Sequence, residues 1–83
     1  MTLQEILDLA DEISADCCVK EIMGERLALA YVPYESGESF LDRLSVELGY
    51  NPRCRGAGSV YVTIQKTAMD NGSSIAILKI EVD

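Results

Sequence analysis

Hydrophobic and polar positions change period three times along this chain. From Thr2 to Ala15, Leu3, Ile6, Leu7, Ala10 and Ile13 recur at the spacing of one helical face, and Leu9 widens the stripe. Glu5, Asp8, Glu12 and Asp16 take most of the opposite side. Thr2, followed three residues later by Glu5, has the form of a capping box, and acids in the first turns suit the helix dipole. The pattern therefore predicts an amphipathic helix over these residues.

Around Gly24 the period shifts. Residues Cys17 to Met23 and Arg26 to Val32 read as two strands, although residues 16–23 also suit a prolonged first helix. In the second strand Leu27, Leu29 and Tyr31 alternate with Ala28, Ala30 and Val32, and both sets are apolar. A strand of that kind is covered on at least part of each face. Pro33 ends it, because proline has no N–H for the ladder.

A second helix follows, with Ser36 or Ser39 as its cap and Asp42 three residues after Ser39. Phe40, Leu41, Leu44 and Leu48 form its apolar stripe, and Gly49 with Asn51-Pro52 stops it. Arg53 to Gly58 reads as a loop. In the last third, Val60, Val62 and Ile64 alternate with Tyr61, Thr63 and Gln65, and Ala76, Leu78, Ile80 and Val82 with Ile75, Ile77, Lys79 and Glu81. Asp70-Asn71-Gly72 between them supplies hairpin turn chemistry. The expected order is α-β-β-α-β-β. Its physical solution is an α+β fold, a four-stranded antiparallel sheet with both helices packed on one face.

Composition adds limits. A chain of 83 residues forms one domain, residues 1–83, with room for one layer of sheet under one of helix. No run approaches the ~18 apolar residues of a membrane span, and the acidic start lacks the basic region of a signal peptide, so a cytoplasmic protein is expected. Cys17, Cys18 and Cys54 are an odd number with two adjacent, which favours reduced thiols over a bridge or a metal site.

Charge narrows the function. Residues 1–50 hold eleven acids against three bases, while residues 51–83 carry a net +1. Such a field repels a nucleic acid or an anionic membrane surface and attracts a basic partner. The chain has no His, the commonest general base and metal ligand. Nor does it carry a nucleophile elbow, a phosphate-binding glycine loop or a dinucleotide fingerprint. Binding without catalysis, cofactor or metal is the expectation.

Three surfaces are candidates. Glu5, Asp8, Glu12, Asp16, Glu38, Asp42 and Glu47 form an acidic surface for a basic groove on another protein. At the extreme, carboxylates stand in for phosphates at a nucleic-acid-binding site, the mode of small phage inhibitors of nucleases and defence proteins. Tyr61, Thr63, Ile75 and Ile77 share the outer face of the hairpin and suit a homodimer or partner interface. Arg53 and Arg55, beside Gly56 and Gly58, offer a weaker phosphate cradle, and those arginines equally suit pairing with helix acids.

Overall fold

The computed structural model describes residues 1–14 and 19–83. Its elements run α1 (Leu3–Ile13), β1 (Val19–Ile22), β2 (Leu27–Pro33), α2 (Tyr34–Leu48), β3 (Val60–Ala68) and β4 (Ser74–Val82). This is the expected α+β order, and the four strands form one antiparallel sheet. Residues 19–22 are strand rather than helix. The expected beginning of that strand, at Cys17 and Cys18, lies outside the described residues.

Helix α1 begins as its sequence dictates. Thr2 Oγ1 accepts the Glu5 N–H at 3.2 Å, and Glu5 Oε1 accepts the Thr2 N–H at 2.9 Å, which closes the capping box. Helix α2 departs from expectation. Neither Ser36 nor Ser39 caps it, because both lie inside the helix. Pro33 is the N-cap, with φ −53° and ψ 142°, so one residue closes β2 and opens α2. The rigid proline ring holds φ near this value without a side-chain hydrogen bond. Gly49 ends the helix in the left-handed conformation, φ 79°, where only glycine is unstrained.

The strand order is β1-β2-β4-β3. Strand β4 therefore pairs with β2 as well as with its hairpin partner. Val32 stands opposite Ala76, Ala30 opposite Leu78, and Ala28 opposite Ile80. All six are buried, with Val60 and Val62 beside them on β3. The helices cover this face with Leu3, Ile6, Leu7, Leu9, Ala10, Phe40, Leu41 and Leu44. Small residues bring the layers close. A Cβ added at Gly37 would lie 2.7 Å from the Ala76 Cβ, so α2 rests its backbone on β4 there.

The loop between α2 and β3 is held by Tyr50 and Pro52. Tyr50 Oη accepts the Val60 N–H at 3.0 Å, and the Pro52 carbonyl accepts the Val62 N–H at 3.0 Å. These bonds occupy the outward donors at the start of β3, an edge strand. No helix among the described residues is long and apolar enough to cross a membrane.

Candidate functional site

Helices α1 and α2 together contain eight acids, Glu5, Asp8, Asp11, Glu12, Glu35, Glu38, Asp42 and Glu47, and one base, Arg43. Their net of −7 equals that of the whole chain, because the remaining residues hold six acids and six bases. The cause is the amphipathic pattern. Turning the apolar stripes onto the sheet leaves the other sides of both helices to solvent, and those sides are mostly carboxylates, with Val46 exposed among them.

Glu5, Asp8, Glu12 and Glu47 line an open groove of about 300 Å³ between the helices, with Leu9, Met1 and Arg43. Four of the seven acids expected to act together therefore meet here. Asp42 is exposed on α2. Asp16 lies outside the described residues.

These carboxylates differ in how far they are committed to partners within the chain. Glu5 is held below the usual carboxylate range, chiefly by the Thr2 backbone N–H and then by the Thr2 hydroxyl. Asp8 accepts a hydrogen bond from Gln4 Nε2 at 2.9 Å. Glu47 lies 3.6 Å from Arg43 Nε one turn earlier, an exposed pair worth only about 0.3–0.5 kcal/mol. Glu12 and Asp42 make no ion pair among the described residues.

Glu38 belongs elsewhere. It pairs with Arg53 and accepts the Tyr34 hydroxyl at 2.8 Å. The Arg53 hydrogen bond, then that of Tyr34, keeps its carboxyl below the usual range. Glu38 in turn raises the Tyr34 phenol. The Lys66 ammonium lies 4.7 Å from the centre of the Tyr34 ring. This cluster ties α2 to the loop before β3 and leaves Glu38 compensated.

On the far side of the sheet the strand order brings together more than the hairpin. Tyr61, Thr63, Ile75 and Ile77 share one face, as the alternation indicated. Strand β2 adds Leu27, Leu29 and Tyr31, and β1 adds Val19, which is 64% exposed. Cross-strand pairing sets Val19, Tyr31, Ile77 and Gln65 in one row and Glu21, Leu29, Lys79 and Thr63 in the next. The four added residues were missing from the expected surface because the pairing of β2 with β4 is long-range. The doubly apolar alternation of residues 27–32 was the available signal.

The arginine loop is engaged within the molecule. Arg53 holds Glu38, and the Arg55 guanidinium stacks 4.3 Å from the Tyr61 ring centre. A second concavity of about 410 Å³, between the start of α2 and the hairpin turn, is lined by both Lys66 and Glu35 and so favours neither sign of ligand. Cys54 is an exposed free thiol. Among the described residues no three His, Cys, Asp or Glu side chains are grouped to hold a metal ion. No family model, curated protein or solved structure matches the chain.

Proposed function

We propose that this protein is a binding module, an inhibitor or modulator that docks its helical layer on a basic site of a partner protein and performs no chemistry of its own. The observation that carries the reading is the placement of the entire net charge on two adjacent helices. Carboxylates needed only for solubility work equally well when interspersed with bases over all sides. Concentrated on one layer, they create a field that steers association with a basic surface and makes it salt-sensitive. Glu5, Asp8, Glu12 and Glu47 around the interhelical groove, with Asp42 beside them on α2, are the contact residues proposed. A site built for nucleic acid is the extreme case of such a basic surface, since its cations are spaced for phosphates.

The test compares capture from native lysate by three forms of the protein. These are the unmodified chain, the Asp8→Lys/Glu12→Lys/Asp42→Lys variant, and a control with Thr63→Lys and Gln65→Lys on the outer sheet face. The expected result is one partner retained by the unmodified and control proteins, released at high salt, and lost by the helical variant. Retention of that partner by the helical variant would overturn the reading.

A further inference from the structure

We infer that a second copy of this chain covers the outer face of the sheet, the two sheets packing face to face about a twofold axis. Leu27, Leu29, Tyr31, Tyr61, Ile75 and Ile77 form its apolar centre, all half-buried by their neighbours. No described element of the chain crosses them.

The balance of charge selects the occupant. Two copies meeting through their helices would oppose surfaces of −7 each. The outer sheet face instead carries Glu21 and Glu81 against Lys79 and Arg55, a net of zero. Lys79 and Glu81 are already 3.2 Å apart on this face. Equal numbers of each sign let a twofold axis set acids of one copy near bases of the other. A strongly acidic or basic partner would gain nothing from such a face.

The edges of the sheet offer a poorer route. The first outward donors of β3 are taken by Tyr50 and Pro52, and its open half carries Lys66. Strand β1, over its described residues Val19–Ile22, bears Lys20 and Glu21. Charged or covered edges resist strand addition.

Size sets the strength. At about 4.8 Å between strands and about 3.3 Å per residue, four strands by seven residues give a face of roughly 19 by 23 Å. That area, about 440 Å², is below the roughly 600 Å² per partner at the low end of stable interfaces and in the range of weak, transient ones. The dimer is therefore concentration-dependent rather than obligate. It leaves the acidic helical layers on its two outer sides, so it does not depend on the function proposed for them.

Sedimentation velocity over a range of concentrations, at low and high salt, tests this. The expected result is a monomer–dimer equilibrium that high salt does not abolish, since the centre of the face is apolar and only its peripheral charge pairs are screened. Ile77→Asp and Thr63→Glu should each weaken it at least about tenfold with an unchanged circular dichroism spectrum, whereas Asp42→Lys should not. Thr63 is exposed and polar, so its substitution spares the fold even if that of Ile77 does not. A single monomeric species up to about 1 mM would overturn the inference, as would a dimer that survives Thr63→Glu or fails only with Asp42→Lys.

Discussion

Helices α1 and α2 and the outer face of the sheet lie on opposite sides of one apolar layer, and they meet water differently. The helical side is closed. Its apolar stripes are buried or half-buried, with Val46 of α2 the exposed exception, and what remains is mostly carboxylate, eight acids to one base. The outer sheet face is open, with apolar side chains half-covered by neighbouring strands and charges of both signs among them. The contrast arises within single strands. On β4, Leu78 is fully buried while Ile77, the residue before it, faces outward. A period of two gives each strand two faces, and with helices on only one side the second needs another solution.

The sharpest check on this contrast uses that pair. Leu78→Ala should cost about 2–5 kcal/mol in denaturant unfolding, because it opens a cavity under the helices. Ile77→Ala, measured at concentrations where the chain is monomeric, should cost under about 1.5 kcal/mol, since a half-exposed side chain has less burial to lose. Equal losses would mean that the outer face is as closed as the inner one.

Gly37 tests how tightly the helical side is sealed. Gly37→Val should destabilise by about 1–3 kcal/mol, as its Cβ would meet Ala76 and Val32. A neutral result would show that α2 stands further off the sheet. At the start of the other helix, Thr2→Ala should remove about 1 kcal/mol by breaking the capping box.

The Glu38 cluster gives a pH signature. Its carboxyl is held below the ordinary 4.5, so the stability it adds is complete above 4.5 and lost as pH falls through the lower folded value. The Tyr34 phenol is raised above its ordinary 10.0, so its contribution is present below 10 and lost as pH rises beyond it. Thermal melts of Glu38→Gln should show smaller changes in both limbs than the unmodified protein. Glu5 adds to the acid limb only. The smallest effect is expected at the exposed acids: Asp8→Lys, Glu12→Lys and Asp42→Lys should each alter stability by no more than about 0.5 kcal/mol.

Much of this architecture was legible in the chain. The stripes Leu3–Ile13 and Phe40–Leu48 and the alternation of residues 60–65 and 75–82 are local signals, and each marks its element. The cap of α2 was misread because two serines suited that role, while Pro33 served both elements through its ring alone. Strand order was not legible, since the pairing of residues 27–33 with 75–81 spans the whole of α2 and β3. That pairing is what enlarges the outer face from Tyr61, Thr63, Ile75 and Ile77 to include Leu27, Leu29 and Tyr31. Of the acidic surface, helical periodicity indicated the solvent side but not which acids had partners. The removal of Glu38 from that surface by Arg53 depends on the course of the loop after Gly49.

The proposal that the charged helical side, and not the neutral sheet side, makes the contact is tested most directly by carboxyl footprinting. Carbodiimide labelling of the protein, free and bound to the partner proposed for it, reads each acid separately. The expected result is protection of Glu5, Asp8, Glu12, Asp42 and Glu47 on binding, with Asp70 at the hairpin turn unchanged. Protection of Glu21 and Glu81 instead, with the helical carboxylates still labelled, would contradict it.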